Sequence, residues 1–450
     1  MTHYIVADLG FGDAGKGTVV DWLCSHGGAE PVHTVVRFNG GAQAAHNVVT
    51  SDGRRHAFAQ FGSGTFTPGV RTHLSRFMLV DPVALAAEAA HLGSLGVRDA
   101  LDRLTVDRDA LITTPYHRAA NQARERARGE LRHGSCGMGI GETARYALAH
   151  PDDAPRAGDC AAPRTLARKL AVLRDALAGE LGTMDVPAVA AVADAYLAFA
   201  GRVAVVDRGH LSRLLREGPA VFEGAQGVLL DEWHGFHPYT TWSTTTFANA
   251  EALLAEAGET ATRLGVTRCY MTRHGPGPFV TEDPALELPE PHNGRNTWQG
   301  EFRVGHFDAV ATRYAVQAAG GADLIALTHL DTAGRRQELR ACLCYDISGA
   351  TVRRLPAGRP GDLDAQQALT GRLLLARPVY HGTGISDWPG FVEDALATPV
   401  ALASYGPRAR DKRLLRPLAK PGAVPHPVRV RSGGSPESST ACAGVPPSRP

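Results

Sequence analysis

The sequence carries almost no net charge. Its 47 Lys and Arg residues nearly balance 46 Asp and Glu residues, which leaves a formal charge of +1 over 450 residues. A chain without a net field does not attract nucleic acid or an anionic membrane surface as a whole, so we expect neither as a partner. Any anionic ligand must therefore be bound locally.

Paired cysteines and long apolar runs are also missing. The seven cysteines are scattered and show no CxxC spacing, which favours neither a disulfide framework nor a zinc site. The most apolar stretch, 188–206, contains Asp194 and Arg202 and predicts a buried helix running into a strand, not a membrane span. The N-terminus has neither the basic nor the apolar region of a signal peptide. We expect a cytoplasmic protein.

Glycine, by contrast, is abundant, at 50 of 450 residues. Short β-branched runs alternate with helix-length segments, which predicts an α/β fold with a mostly parallel central sheet flanked by helices. The predicted strands are 4–9, 32–38, 203–206, 220–223, 324–328 and 400–404, and two predicted helices are 119–132 and 309–319. The composition shifts to Pro, Gly, Ser and Arg near residue 420, which predicts a catalytic domain over 1–419 and a disordered tail over 420–450.

A phosphate-binding loop follows the first predicted strand. Residues 10–18 read Gly-Phe-Gly-Asp-Ala-Gly-Lys-Gly-Thr and precede a helix-like run, which matches the G-x-x-x-x-G-K pattern in its strand–loop–helix context. Backbone amides of such a loop surround phosphate oxygens, and Lys16 adds a full positive charge. Gly17 stands where a hydroxyl residue normally binds Mg²⁺, so Asp13 is the expected carboxylate ligand. A glycine-rich turn without a ligand is the less favoured alternative.

Several further segments share one family pattern. A run of small residues, Gly-Gly-Ala-Gln-Ala-Ala-His, spans 40–46, and Phe-Glu-Gly-Ala-Gln-Gly spans 222–227. Other matching segments are 238–246, 272–282, 328–331 and 404–407. Together, and in this order, they resemble the adenylosuccinate synthetase family, whose signatures are GDEGKG, GGHNAGH and FEGAQG. The resemblance covers nearly the whole chain before the tail.

The resemblance implies the family's fold and its two-step reaction, in which GTP phosphorylates O6 of inosine monophosphate (IMP) and an amine then displaces the phosphate. By resemblance, Asp13 is the general base at N1 and a ligand of Mg²⁺. His46 donates a hydrogen bond to the transferring phosphoryl group, and Gln226 places an amide at the 6-position. Lys16 contacts the phosphates, and the carbonyl of Ala45 is a second Mg²⁺ ligand. A homodimer is implied by the same analogy.

The resemblance also implies two nucleotide sites. The GTP site comprises Gly12, Gly15, Lys16, Gly17, Thr18, His329, Asp331, Ser404 and Gly406. In it, one carboxylate of Asp331 accepts from both N–H groups of guanine, and His329 replaces a lysine that stacks on the base. The IMP site comprises Asp13, Gln43, Ser135, Cys136, Gln226, Thr241 and Arg156. Its arginine reaches the phosphate from a partner subunit in the family, and Arg145 is the other candidate for that role.

The sequence departs from the family where aspartate is recognised. In place of TTGRRRRTGWLD stand residues 297–308, in which Gly300, Glu301 and Phe302 replace three arginines, and Met138 replaces a fourth. Each lost charge-assisted hydrogen bond to a carboxylate costs about 1.5–3 kcal/mol. We therefore expect another amine, such as an amino sugar, another amino acid or a neutral amine in specialised nucleoside (nucleoside antibiotic) biosynthesis. The predicted acceptor residues are Met138, Thr297, Trp298, Phe302 and Arg303.

Two alternatives remain at this point. In the first, Arg303 and Arg295 rearrange to bind aspartate, and the protein is a conventional adenylosuccinate synthetase. In the second, the phosphate loop and the Thr-His-Leu-Asp run at 328–331 belong to a GTP-binding switch or binding module, because this run resembles the base-reading motif of regulatory GTPases. Asp13, His46 and the 222–227 segment argue against the switch.

Overall fold

The computed structural model describes residues 1–26, 30–129, 132–288, 290, 293–294, 297–336, 338–381 and 384–418. The predicted tail over 420–450 lies outside the described residues, so it stays a prediction. The strands in the described residues are β1 (His3–Asp8), β2 (Thr34–Arg37), β3 (His46–Val49), β4 (Arg55–Phe58), β5 (Arg71–Leu74), β6 (Leu79–Val80), β7 (Leu104–Asp107), β8 (Leu111–Ile112), β9 (Ala204–Val206), β10 (Ala220–Glu223), β11 (Ala261–Arg268), β12 (Met271–His274), β13 (Phe302–Gly305), β14 (Phe307–Asp308), β15 (Leu324–Thr328), β16 (Ala341–Ile347), β17 (Ala350–Val352), β18 (Arg377–His381), β19 (Val400–Ser404) and β20 (Lys412–Leu414).

The α-helices in the described part of the chain are α1 (Lys16–Ser25), α2 (Pro82–Ser94), α3 (Pro115–Arg128), α4 (Ile140–Ala149), α5 (Pro163–Leu181), α6 (Val189–Ala200), α7 (Gly209–Glu217), α8 (Ala248–Ala257), α9 (Ala309–Ala318), α10 (Leu330–Arg335), α11 (Leu363–Leu374) and α12 (Trp388–Leu396). Short 3-10 turns lie at Ala157–Ala161, Val228–Leu230 and Ala409–Asp411. Within these ranges, no helix is both long and apolar enough to cross a membrane.

A ten-stranded sheet organises the molecule, with the strand order β20-β19-β15-β11-β1-β10-β2-β5-β7-β9. Its neighbouring strands pair in parallel, except that β20 runs antiparallel to β19. The predicted fold class is thereby confirmed. Because β1 lies beside β10, and β10 beside β2, the loops that follow these three strands leave the same edge of the sheet. In open parallel sheets, this edge is where ligands bind.

Apolar residues cover both faces of the sheet. Along β1, Ile5 and Ala7 pack into one buried cluster, whereas Tyr4 and Val6 pack into another. Such a strand reads as a continuous apolar run because helices bury it on both sides. The central strand is therefore anchored on both faces, which fixes the position of the loop that follows it.

Most predicted elements are found close to their expected bounds. Strands β10, β15 and β19 have the predicted limits, and the apolar stretch 188–206 forms α6 followed by β9. The helix predicted at 119–132 instead spans Pro115–Arg128. It begins earlier because the side chain of Thr114 caps it and proline occupies its first position, both of which are standard helix-start signals.

A small antiparallel pair lies beside the central sheet. Strands β12 and β13 place His274 opposite Phe302 and Arg273 opposite Arg303. This pairing joins the 272–282 segment to the segment predicted to contact the amine. A separate sheet contains β14, β16, β17 and β18.

Candidate functional site

The phosphate loop connects β1 to α1 and is organised by Asp8. The buried carboxylate of Asp8 accepts hydrogen bonds from the backbone N–H of Gly10 at 2.7 Å and of Ala14 at 2.8 Å. The ammonium of Lys16 lies 3.2 Å from the same carboxylate and donates to the carbonyl of Gly12 at 2.6 Å. The buried carboxylate of Asp8 therefore organises the loop, and Lys16 is paired with it.

Asp13 projects from this loop and remains partly exposed, with 30% of its side chain accessible. Its backbone carbonyl accepts a hydrogen bond from Nε of Arg268 at 2.6 Å, which fixes the loop at this residue. Burial raises the pKa of the Asp13 carboxyl, although His274, Arg268 and Lys16 oppose that rise. A carboxylate with a raised pKa is a better proton acceptor, as the predicted role of general base requires.

Gln226 connects the phosphate loop to the loop that follows β2. Its backbone adopts a left-handed conformation with φ of 56°, and a methyl group added at Gly12 would lie 3.4 Å from its Cα. A methyl group at Gly40 would lie 3.3 Å from its side-chain oxygen. That oxygen is buried and has no hydrogen-bond partner among the residues that the structure describes, so it is available to a ligand.

Gln43 lies on the same loop and has a similar environment. Both polar atoms of its amide are buried without a hydrogen-bond partner in the described ranges. A methyl group added at Gly41 would lie 3.2 Å from its Oε1 and 2.7 Å from Cδ1 of Ile140. Gln43 therefore faces the start of α4, the helix that follows the loop predicted to bind the nucleotide phosphate. Buried polar groups are normally satisfied, which favours a ligand here.

His46 begins β3 and pairs with Glu223 at the end of β10. Its Nδ1 lies 2.6 Å from Oε1 of Glu223, and the other carboxylate oxygen, Oε2, accepts the backbone N–H of Ser63 at 2.9 Å. Burial lowers the pKa of His46 to about 4, so the ring is neutral at pH 7 with its Nδ1–H donated to Glu223. In that form Nε2 is an acceptor, so His46 needs a second proton before it can donate to a phosphoryl group.

His46 leaves no room for a larger residue at position 17, where a phosphate loop usually has a hydroxyl side chain. A methyl group at this position would lie 2.7 Å from Cβ of His46, so any larger residue would displace the histidine. The neighbouring Thr18 does not replace that hydroxyl, because its Oγ1 donates to the carbonyl of Pro407 at 2.7 Å. The structure thereby places His46 directly against the first turn of α1.

The predicted IMP-phosphate residues lie on three neighbouring segments. Asn121 donates to Oγ of Ser135 at 2.9 Å and accepts the backbone N–H of Gly139 at 3.1 Å, which shapes the 134–139 loop. Burial raises the pKa of the Cys136 thiol, so Cys136 offers only a weak S–H donor. The segment containing Thr241 also reaches this region, because Oγ of Ser243 lies 3.4 Å from the backbone N–H of Gly40.

Among the residues predicted to bind guanine, His329 lies at the phosphate loop. This residue has φ of 61°, and its ring lies 3.7 Å from a methyl group built on Gly15, so it borders the phosphate loop. Asp331 is not free, because Arg335 is hydrogen-bonded to its Oδ2. Ser404 donates to the carbonyl of Gly406 at 3.2 Å.

Sequence reasoning missed a lysine in this region. Lys412 donates to the carbonyl of Gly406 at 2.9 Å and to the hydroxyl of Thr18. Burial lowers its pKa to about 8, and Asp411, Asp21 and Asp331 oppose that shift. Lys412 therefore connects the 404–407 segment, which is predicted to contact guanine, to α1. The signal available in the sequence was only a lysine five residues beyond the 404–407 motif.

The predicted acceptor residues surround the same loops. A methyl group at Gly137 would lie 2.7 Å from Cγ of Trp298, so Trp298 covers the loop that also holds Met138. Thr297 is exposed and accepts a long hydrogen bond of 3.5 Å from Arg132 at its carbonyl. The Phe302 ring lies edge-on to His274, with centroids 4.6 Å apart. Arg295 lies outside the described residues.

Arg303 is engaged by its own protein. Its Nη1 lies 2.8 Å from a carboxylate oxygen of Glu282, and its Nη2 donates to the carbonyl of Gly277 at 2.9 Å. Only Nε is buried without a partner in the residues described. Because both Nη atoms are engaged, the Arg303 guanidinium has no pair of N–H groups left to bind a carboxylate at two points.

Arg156 and Arg145 contact other parts of the protein and not the loops predicted to bind the nucleotide phosphate. Arg156 donates to the carbonyl of Asp109 at 2.7 Å, and Arg145 pairs with Glu142 and Glu180. The predicted contact of Arg156 with a nucleotide phosphate, and the homodimer through which it would act, remain predictions.

The site offers oxygen donors for a cation. Asp13 supplies a partly exposed carboxylate, and the exposed Ala45 precedes His46. Within the described ranges, no group of three or more His, Cys, Asp or Glu side chains could hold a metal by itself. A single carboxylate and a carbonyl suit Mg²⁺, which keeps water and phosphate oxygens as its other ligands.

Comparison with known proteins gives consistent results. A family model described as adenylosuccinate synthetase matches residues 5–369. The adenylosuccinate synthetase of Microcystis aeruginosa is 30% identical over 447 residues, which cover 92% of this chain and 94% of the relative. The residues that the family model matches include both the phosphate loop and the 222–227 segment.

Solved structures share the fold. Fully ligated adenylosuccinate synthetase from Plasmodium falciparum is similar with a TM-score of 0.78 at 21% identity, covering 92% of this chain and 100% of that chain. The succinoaminodeoxyadenylate synthetase of cyanophage S-2L, bound to dGMP and to dATP as an energy donor, is similar with a TM-score of 0.57 at 19% identity, covering 93% and 97%. At these identities the likeness concerns the fold alone.

Proposed function

The chain belongs to the adenylosuccinate synthetase family of ligases, and from that premise we propose that it joins an amine other than L-aspartate to C6 of a 6-oxopurine nucleotide. The nucleotide is IMP or a close relative, and GTP is the phosphoryl donor. The amine belongs to a class that lacks the second carboxylate of aspartate, such as an amino sugar or another amino compound of specialised nucleoside biosynthesis. Membership of a family of ligases argues against a GTP-binding switch.

In the first step, Asp13 removes the proton from N1 of the purine. The negative charge then resides on O6, which attacks the γ-phosphorus of GTP. The bond from that phosphorus to the bridging oxygen breaks, and GDP leaves with the electron pair. Lys16, the loop amides and a protonated His46 would stabilise the charge on the transferring group, which is the main contribution of a protein to phosphoryl transfer.

Mg²⁺ fits this proposal. A carboxylate oxygen of Asp13 and the backbone carbonyl of Ala45 would hold it, and when bound it would neutralise charge on the phosphoryl oxygens. The residues present are hard oxygen donors, as that cation prefers. The protein's own part is to position Asp13, which it does through the hydrogen bond from Arg268 to the Asp13 carbonyl.

In the second step, the amine nitrogen attacks C6 and a C–N bond forms. The C6–O6 bond breaks, and inorganic phosphate leaves with the electron pair. N1 carries no proton in the N6-substituted product, so Asp13 releases to water the proton that it took in the first step, and the amine loses one of its own protons to water or buffer. The amide of Gln226, whose Oε1 has no partner in the described residues, would contact the 6-position during this exchange.

The proposal of a different amine rests on the segment that holds the predicted acceptor residues Thr297, Trp298, Phe302 and Arg303. Three positions expected to hold arginine are Gly300, Glu301 and Phe302, and Arg303 is bound to Glu282 and to the carbonyl of Gly277. Two desolvated carboxylates would need several charge-assisted hydrogen bonds. Glu301 would in addition repel them.

One observation favours the conventional use of aspartate. Two other arginines reach the acceptor segment, since Arg126 lies over the Trp298 ring at 5.2 Å and Arg132 contacts the carbonyl of Thr297. These side chains could approach a carboxylate bound beside Trp298. Aspartate therefore stays the second candidate for the amine.

The identity of the phosphoryl donor is open to a direct test. GTP requires that Asp331 accept from guanine, and Arg335 now occupies Oδ2 of that carboxylate. The solved cyanophage enzyme is described with dATP as its energy donor. We propose GTP because the other Asp331 oxygen can still accept, and because α10, which holds Asp331, packs against β19, which ends at Ser404. A kcat/KM higher for ATP than for GTP would contradict this choice.

The amine is tested by ultraviolet spectroscopy. The protein is incubated with IMP, GTP, Mg²⁺ and, in separate samples, L-aspartate, glycine or glucosamine, and the absorbance shift of an N6-substituted purine is followed. We expect turnover with an amine that has at most one carboxylate, and a kcat/KM for aspartate lower by about 100-fold. Efficient use of aspartate would establish the conventional activity instead. Asp13→Asn should abolish product formation with every amine, which controls for reactions outside the site.

A further inference from the structure

His274 lies between Asp13 and the acceptor residues. It is the last residue of β12, and its Nε2 lies 3.5 Å from Oδ2 of Asp13. Across the β12–β13 pair its partner is Phe302, whose ring meets the imidazole edge-on at 62°. One side chain thus touches both the proposed base and the proposed acceptor wall.

The two ring nitrogens of His274 have different environments. Nε2 faces the carboxylate of Asp13, whereas Nδ1 is buried and has no hydrogen-bond partner among the described residues. In the tautomer that carries its hydrogen on Nε2, on the side of the Asp13 carboxylate, Nδ1 is an acceptor. Leaving a buried acceptor without a donor is unfavourable, so this position beside the general base favours a ligand that donates a hydrogen bond.

The surrounding loops indicate which donor would fit. The segment directly after His274 packs against two acceptor segments, because a methyl group at Gly275 would lie 2.8 Å from the carbonyl of Gln299 and one at Gly134 would lie 2.5 Å from Cδ of Pro276. These are the loops that hold Ser135 and Met138 on one side and Trp298 on the other. A nucleophile that enters between these loops would lie beside His274 and beside the edge of the purine from which Asp13 removes a proton.

We propose that Nδ1 of His274 accepts a hydrogen bond from the incoming amine and so directs the nitrogen lone pair toward C6. The inference rests on the function proposed above. The amine keeps one N–H for His274 while its lone pair attacks C6, and its carbon substituents lie toward the apolar Phe302. This geometry selects a primary amine whose first carbon carries apolar or hydroxylated substituents and no pair of carboxylates. Two carboxylates at that position would meet the aromatic ring and Glu301.

The test separates the two chemical steps. Step one is measured without amine, as exchange of heavy oxygen between the bridging and non-bridging positions of GTP in the presence of IMP and Mg²⁺. Step two is measured with hydroxylamine, a small uncharged nucleophile, as formation of the N6-hydroxy purine nucleotide. His274→Leu removes both nitrogens, whereas His274→Asn places an amide oxygen close to the position of Nδ1.

The expected pattern is specific to an amine contact. His274→Leu should lose about 10- to 100-fold in kcat/KM for hydroxylamine, and clearly more than it loses in the exchange reaction. His274→Asn should recover most of that loss. The inference is overturned if His274→Leu uses hydroxylamine as well as wild type, or if it loses exchange and coupling equally, which would mean that His274 only supports Asp13. Absence of exchange in the wild-type protein would contradict the proposed function itself, and the inference with it.

Discussion

Nδ1 of His46 lies 2.6 Å from the carboxylate of Glu223, across 177 positions of sequence. Burial alone would raise the pKa of Glu223, but His46, Arg37 and Ser63 outweigh it and lower the value to about 2. Glu223 is therefore a carboxylate at every working pH. It fixes the orientation of the imidazole, and its charge would stabilise the ring once His46 gains a second proton beside the triphosphate.

Replacing Glu223 by glutamine tests this pairing. Glu223→Gln keeps an acceptor for Nδ1–H but removes the charge, so we expect the IMP-dependent oxygen exchange of GTP to slow by about 100-fold. The matched control is Glu88→Gln, which alters another buried glutamate that faces a histidine, His56 at 3.4 Å, outside the site. If both variants exchange at similar rates, Glu223 has only a structural role.

Asp8 and Lys16 give a second prediction. Asp8→Asn removes the negative charge beside the buried ammonium of Lys16, and breaking a buried ion pair in this way costs about 3–5 kcal/mol. We expect a lower thermal midpoint, and a larger upward shift on adding GTP and Mg²⁺ than wild type shows, because phosphate oxygens replace the lost charge. Equal midpoints of the two proteins without nucleotide would show that the pair contributes nothing to stability.

The sequence predicted the parts of the site that are encoded locally. The phosphate loop, with Asp13 and Lys16, follows from one strand–loop–helix segment, and the position of His46 beside it follows from a family motif. The partners of these residues did not follow. Glu223 and Lys412 act through contacts between segments that are distant in the chain, and the sequence alone does not show which buried acid pairs with which base. Asp8 lies only eight residues before Lys16, but it belongs to the strand and not to the loop pattern.

The fold was predicted for a similar reason. Buried parallel strands produce continuous apolar runs, so β10, β15 and β19 were found with their correct bounds. The start of α3 was missed although Thr114 and Pro115 mark it, because the prediction followed the apolar pattern and not the cap. The short strands β12 and β13 have no such run, and their pairing places His274 beside Phe302.

Buried histidines predict how stability depends on pH. Burial lowers the pKa of His73 and of His117 to about 3 each, whereas an unfolded chain has a value of about 6.5. The unfolded state therefore binds protons first, and the free energy of unfolding falls as the pH drops below about 6.5, by up to about 1.4 kcal/mol per pH unit for each group. Below about pH 3 this contribution no longer changes.

Replacing His117 isolates the contribution of one histidine to the pH dependence of the free energy of unfolding. In His117→Asn, the amide oxygen can still accept the backbone N–H of Thr114, which Nδ1 accepts at 3.1 Å. Urea-unfolding free energies measured between about pH 7.5 and 5 should fall less steeply for this variant, by close to one proton. The control is His26→Asn at an exposed position. The same slope in His117→Asn and wild type would contradict the assigned burial effect.

The acceptor segment can be changed toward aspartate recognition. Glu301→Arg combined with Phe302→Arg removes one negative charge and supplies two guanidinium groups beside His274, and each charge-assisted hydrogen bond to a carboxylate is worth about 1.5–3 kcal/mol. We expect kcat/KM for L-aspartate to rise about 10- to 100-fold, measured as formation of the N6-substituted purine. Glu301→Gln with Phe302→Met makes the same removals without adding charge, so it should leave aspartate a poor substrate. An equal rise in both double variants would show that the acid and the aromatic ring alone, and not the missing arginines, exclude aspartate.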